Sequence, residues 1–157
     1  MMSNTSENQS KLQVFLLKDA KNLFPKGKRL LGIDYGMKRI GLALSNSQGE
    51  MPEPFMIIHK LKELDDIILA KNIEGIVIGL PLQTDGEEGD IAKQVHLFAN
   101  RVAEKYCLPV FLIDERYTSK FASEYLSGKC MRQEKQKKVL DAYAAARILQ
   151  KAIDETK

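Results

Sequence analysis

The chain has no tryptophan, and only two cysteines and two histidines among its 157 residues. Cys107 and Cys130 show no spacing that would suit a zinc site or a disulfide framework, so a reducing cytosol is the expected compartment. His59 and His96 have no acidic or cysteine partner at ligand spacing, which removes histidine-based metal and acid–base centres from consideration. Aromatic residues make up only 7% of the chain, so the core has to be built from aliphatic side chains. Long apolar runs are missing too. Val14-Phe15-Leu16-Leu17 is far too short for a membrane span and has no basic stretch before it, so no membrane association is expected. There is no internal repeat and no linker, which leaves a single domain over residues 29–157. Residues 1–28 then form an N-terminal extension. Its first ten residues are polar and read as disordered, and residues 11–24 read as a short helix or strand packed on the domain.

The net charge of +3 hides an uneven distribution. Lys129, Arg132, Lys135, Lys137 and Lys138 crowd into a stretch containing one acid, Glu134, so the remainder of the chain is close to neutral. A basic segment of this kind suits a phosphate backbone or is simply a solvated loop.

Residues 29–34 form an apolar run that stops at Asp34-Tyr35-Gly36, the pattern of a buried strand. Alternation from Arg39 to Leu44 predicts a second strand joined to it by a tight turn, and Phe55 to Ile58 a third. Leu61, Leu64 and Ile68 are spaced for an amphipathic helix over 60–72. Ile76-Val77-Ile78 predicts a fourth strand. Ile91, Val95, Phe98 and Val102 stripe a long helix with Asp90 as N-cap, and Val110 to Ile113 make a fifth strand. A short helix over 119–127, stopped by Gly128, and a last helix from Lys138 to Glu155 complete the order βββαβαβαα. Hairpin strands followed by βαβ crossovers predict an α/β fold, a mixed five-stranded sheet with helices on both faces.

Three acids stand where apolar residues would be ordinary. Asp34 ends one strand, Glu115 follows another, and Asp141 begins the apolar stripe of the last helix. At 100° per residue, Ala145, Ile148 and Ala152 fall within about 40° of Asp141, so its carboxylate points toward the sheet. A carboxylate on a core-facing surface costs several kcal/mol unless a cation, a proton or hydrogen bonds compensate it. Blander readings exist for each: a turn-forming Asp before Gly, a surface pair between Glu115 and Arg116, and an Asp favoured by the helix dipole. Taken together, the three place carboxylates at strand ends and a helix start that can converge on one edge of the sheet. Oxygen-only ligands of this type suit Mg²⁺ or Mn²⁺ rather than zinc.

The blocks Gly32-Ile33-Asp34-Tyr35-Gly36 with Ile40-Gly41 and Ala43, Gly79-Leu80-Pro81-Leu82 with Asp85-Gly86, Asp114-Glu115-Arg116-Tyr117-Thr118-Ser119, and Asp141 with Ala144-Ala145 follow one another in that order. Over roughly residues 29–153 the chain resembles the YqgF/RuvX family. That resemblance implies an RNase H-like fold and a metal-dependent nuclease, acting on Holliday junctions or on the 5′ end of the small-subunit ribosomal RNA precursor. It also matches Asp34, Glu115 and Asp141 to the family's acidic active-site positions. Many RNase H-like nucleases carry an acid at the end of the fourth strand, where this chain has Gly79-Leu80-Pro81. Glu115 therefore has to reach in from one strand further out, about 4.8 Å more.

Lys38 and Arg39 just past Asp34, Arg116 beside Glu115, and Lys129, Arg132, Lys137 and Lys138 before Asp141 are the candidate phosphate contacts. Asp85 is a candidate supplementary ligand on the 81–89 loop. The expected partner is a structured RNA precursor or branched DNA, bound by a monomer or a homodimer. Two other classes stay open. An ATPase of the sugar-kinase and actin type would need a second Asp-x-Gly lobe, which this chain lacks. A non-catalytic nucleic-acid-binding assembly factor would keep the fold without the cleavage.

Overall fold

The computed structural model describes residues 13–83, 85–115 and 133–157, with side chains of the last stretch from residue 140 onward. Six strands form one sheet: β1 (Val14–Leu16), β2 (Leu30–Tyr35), β3 (Ile40–Leu44), β4 (Glu53–Ile58), β5 (Gly75–Leu80) and β6 (Val110–Asp114), in spatial order β1-β6-β5-β2-β3-β4. β2, β3 and β4 form the antiparallel meander, while β5 joins β2, and β6 joins β5, in parallel. The mixed sheet is the predicted one, with one strand added. β1 pairs in parallel with β6, Val14 to Leu16 opposite Val110 to Leu112, and Phe15 stacks on Phe111 with ring centroids 5.4 Å apart. Three residues are too few to show a period, which is why this strand was not separable from a helix in the sequence. Physically it covers what would otherwise be the open edge of β6. Two 3₁₀ turns follow, Leu17–Asp19 and Lys21–Leu23, and Leu17, Ala20 and Phe24 are buried.

Alternation along the strands sorts the core into two layers. Leu31, Ile33, Leu42, Ile76, Ile78, Val110 and Leu112 face α1 (Leu64–Ala70) and α2 (Asp90–Tyr106), meeting Leu64, Val95, Phe98 and Val102. Leu30, Val77, Phe111 and Ile113 face the other way, onto Ile148, Leu149, Ala152 and Ile153 of α3 (Gln133–Glu155). The core is mainly aliphatic, each fully buried aliphatic side chain contributing about 1.5–3 kcal/mol, but Phe24, Phe98 and Phe111 are buried in it as well.

The helices differ in detail from the sequence expectation. The predicted 60–72 helix is a 3₁₀ turn, Leu61–Glu63, running into the shorter α1. Glu63 Oε2 accepts the backbone N–H groups of His59 and Lys60 at 2.6 and 2.9 Å, which satisfies the donors at this start. Asp90 is the first residue of α2 rather than its cap. Gly89 holds the cap position, and no side chain caps it. Ile91, predicted on the apolar stripe, is exposed, and Ala92 is buried in its place. α3 begins at Gln133, not Lys138, so Asp141 lies in its third turn, where the helix dipole gives no special reason for an acid. The predicted helix over 119–127 lies outside the described residues. Among the described residues, no helix is long and apolar enough to cross a membrane.

Candidate active site

Asp34 sits near the end of β2 on the face covered by α3, because the alternation that buries Leu31 and Ile33 on the opposite side puts Gly32 and Asp34 on this one. Its antiparallel neighbour on β3 is Gly41. A Cβ at position 41 would run into the backbone carbonyl of Asp141, so the helix lies directly on the sheet at that point. The missing side chain of Gly41 is thus what brings Asp141 beside Asp34.

Gly79 does the same on the other flank. Ile33 pairs with Ile78, so the next position along β5 adjoins Asp34. A Cβ on Gly79 would lie 2.5 Å from Glu115 Oε2 and 2.6 Å from Ile148 Cδ1. Glu115 continues the alternation of Phe111 and Ile113 and leans across β5 through the space that Gly79 leaves. The extra reach required of it is met without a bend in β6, whose pairing with β5 runs in register from Ile76–Val110 to Leu80–Asp114. An acid on β5 itself would occupy this space, which is why Gly79-Leu80-Pro81 and a longer acid on β6 go together.

The electrostatics follow from the crowding. Burial, the charge of Asp141 and contact with Glu115 act on Asp34, and the net effect pushes its carboxyl up to about 7. Burial first, then the charge of Asp34 and a hydrogen bond to it, pushes Glu115 up to about 9, with Lys151 opposing weakly. At neutral pH the pair therefore holds a proton between its two carboxyls, both pushed up chiefly by burial. Glu115 Oε2 is buried without a hydrogen-bond partner. A buried acceptor left unmatched costs about 1–3 kcal/mol, so this pocket is arranged for something other than the stability of the chain alone.

Arg39 Nε donates to Asp141 Oδ2 at 2.8 Å, an ion pair with both side chains about a third or less exposed. Among the described residues, no three ligating groups converge closely enough to hold an ion in this arrangement. The donor chemistry nevertheless fits a hard divalent cation: two adjacent carboxyls, one orphaned buried oxygen, and a third carboxylate on the neighbouring helix.

The other candidates fall into place unevenly. Lys38 is exposed at the rim, and His59 Nδ1 lies 3.1 Å from its carbonyl oxygen. Arg116, Lys129 and Arg132 lie outside the described residues. Lys137 and Lys138 lie on α3 ahead of the residues whose side chains are described. Asp85 is committed to a local turn, accepting the Glu87 N–H at 2.9 Å. His96, given no acidic partner by sequence spacing, has one: the loop before α2 brings Glu88 Oε2 to 3.0 Å from its Nε2.

Sequence reasoning did not pick out Gly79 as making room, nor Arg39 as the partner of Asp141, nor Lys151, whose Nζ donates to the Asp114 carbonyl at 2.5 Å and so ties α3 to the end of β6. No spacing rule links positions 102 apart in the chain, as Arg39 and Asp141 are. The glycines were legible only as small residues within strand patterns, where they mark close approach.

The family model described as "RuvX: Holliday junction resolvase" matches residues 28–155. The chain belongs to the RuvX family. A protein named "Putative pre-16S rRNA nuclease" from Orientia tsutsugamushi is 38% identical over 78% of this chain and 82% of its own length. One of the same name from Anaplasma marginale is 37% identical over 83% of this chain and 87% of its own. RuvX proteins are thus nucleases by description, and the mixed α/β sheet is the fold predicted from the sequence. A solved structure of RuvC from Thermus thermophilus aligns with 82% of this chain and 96% of that one, at 13% identity and a TM-score of 0.49.

Proposed function

We propose that this chain is a metal-dependent endonuclease that hydrolyses phosphodiester bonds in a structured nucleic acid, with the 5′ region of the small-subunit ribosomal RNA precursor as its substrate in the cytoplasm. The observation that carries the reading is the half-buried Asp34–Glu115 pair, set between Gly41 and Gly79 with Asp141 alongside. Asp34 and Glu115 would hold Mg²⁺ or Mn²⁺, with Asp141 as the third carboxylate. A bound divalent ion supplies charge to activate water and to stabilise the leaving oxygen. Gly41 and Gly79 leave the room in which α3 and Glu115 close on Asp34. Lys38 and Arg39 at the rim, with Arg116, Lys129, Arg132, Lys137 and Lys138, receive the backbone phosphates. With no base-reading motif among them, binding selects structure rather than sequence. The products carry a 5′-phosphate and a 3′-hydroxyl.

The names of the curated relatives support the RNA substrate. The description of the family model favours a second reading, cleavage of a four-way DNA junction, which would call for a homodimer cutting two strands symmetrically. Parallel assays on both substrates, with Mg²⁺ or Mn²⁺ added, separate them. Asp34→Asn is expected to lower cleavage by roughly a hundredfold or more while leaving substrate binding intact. Equal cleavage by Asp34→Asn and wild type, or products ending in cyclic phosphates, contradicts the reading. Binding without cleavage in either form would identify an assembly factor instead.

A further inference from the structure

Asp141 already has a cation. Its Oδ2 accepts from Arg39 Nε at 2.8 Å, while its backbone carbonyl is seated on Gly41. The helix therefore fixes where Asp141 is, and Arg39 fixes which way its carboxylate turns. Arg39 immediately precedes Ile40, which pairs with Tyr35, so its backbone is anchored by the same hairpin that carries Asp34. The guanidinium is the counter-charge of Asp141 beside the Asp34–Glu115 pair, and it occupies Oδ2, one of the two oxygens Asp141 could offer an ion. Asp34, Glu115 and Asp141 come together between the sheet and α3, yet among the described residues no three-acid cluster closes.

We propose that Arg39 is a positioning residue with two successive partners. In the metal-free protein it holds Asp141 ready, and a divalent cation entering the pocket displaces it. The freed guanidinium then takes a phosphate oxygen of the nucleic acid, for which its planar fork is suited. The ion and the substrate phosphate consequently load together, each relieving a charge that the other leaves exposed. This rests on the proposed metal site and adds to it an order of partners for one arginine.

The test is Mn²⁺ binding to the full chain without nucleic acid, read from the free-ion electron paramagnetic resonance signal. Removing the competing cation in Arg39→Gln is expected to tighten Mn²⁺ binding roughly tenfold. In cleavage assays at saturating Mn²⁺ the same variant raises KM more than it lowers kcat. If Arg39 only braced the helix, Arg39→Gln would bind Mn²⁺ less tightly or no differently, and either result overturns the proposal.

A wild-type measurement covers the case of a variant that does not fold. The Arg39 Nε–H resonance, protected in the metal-free protein, is expected to lose its protection when Mg²⁺ is added. Its persistence unchanged at saturating Mg²⁺ overturns the proposal. Asp34→Asn separates the two levels of the argument. Loss of Mn²⁺ binding in Asp34→Asn with no gain in Arg39→Gln removes the role of Arg39 alone. Unchanged Mn²⁺ binding in Asp34→Asn removes the metal site and the proposal with it.

Discussion

The two faces of the sheet use the same alternation of residues to opposite ends. Toward α1 and α2, the positions on β2, β3 and β5 are Leu31, Ile33, Leu42, Ile76 and Ile78, all fully buried aliphatic side chains. Toward α3, near where the acids meet, the intervening positions are Gly32, Asp34, Gly41, Ala43 and Gly79. The first face fills space and stabilises the fold. The second leaves space, so that a helix backbone and a glutamate from the next strand can close on Asp34. Stability and the proposed chemistry are thus separated by one residue along each strand, and a side chain added on one face should do something different from a side chain removed on the other.

A substitution on each face breaks the comparison open. Leu42→Ala, in the filled layer, is expected to cost about 2–5 kcal/mol of stability, while Mn²⁺ affinity and the substrate preference of the folded fraction stay as they were. Gly79→Ala, in the open layer, should cost less, about 1–3 kcal/mol, because the added methyl meets the ends of Glu115 and Ile148. It should nevertheless remove cleavage, since Glu115 can no longer cross β5. Chemical denaturation alongside a cleavage assay checks both. An active Gly79→Ala or a well-folded but inactive Leu42→Ala would erase the division.

A smaller effect sharpens it. Asp34 and Glu115 bind protons in the folded protein up to about 7 and about 9, against ordinary values of 3.8 and 4.5. Between those limits the native state holds more protons than the unfolded chain, so stability falls as pH rises. Thermal melts of the metal-free protein should therefore decline from about pH 4.5 to about pH 9, and Glu115→Gln, which keeps a neutral group there, should flatten that decline. A melting temperature that climbs across this range in wild type would reverse the sign and place the cause elsewhere.

Much of this is legible in the amino-acid sequence alone. The apolar run ending in Asp34, the alternation from Ile40 to Leu44, and the βαβ order are local patterns, and local patterns survive folding. The acids were legible because a carboxylate among apolar neighbours violates an expectation that can be read residue by residue. What escaped depends on distance along the chain. β1 is a three-residue strand whose partner, β6, lies far along the chain. The start of α3 at Gln133 is masked in the sequence by basic residues with no apolar stripe. Arg39 reads from the sequence as a phosphate contact, because nothing local announces Asp141 as its partner. Gly79 reads as a weak strand residue until Glu115 is seen passing over it.

The account depends most on Asp34 and Glu115 forming one half-buried acid pair. Carbon-13 resonances of the side-chain carboxyls, followed through a pH titration of the metal-free protein, test this directly. Two carboxyls are expected to titrate near 7 and near 9, with the lower one assigned to Asp34 and moving when Glu115 is replaced by Gln. Both groups titrating independently in the ordinary range of about 4 would contradict it.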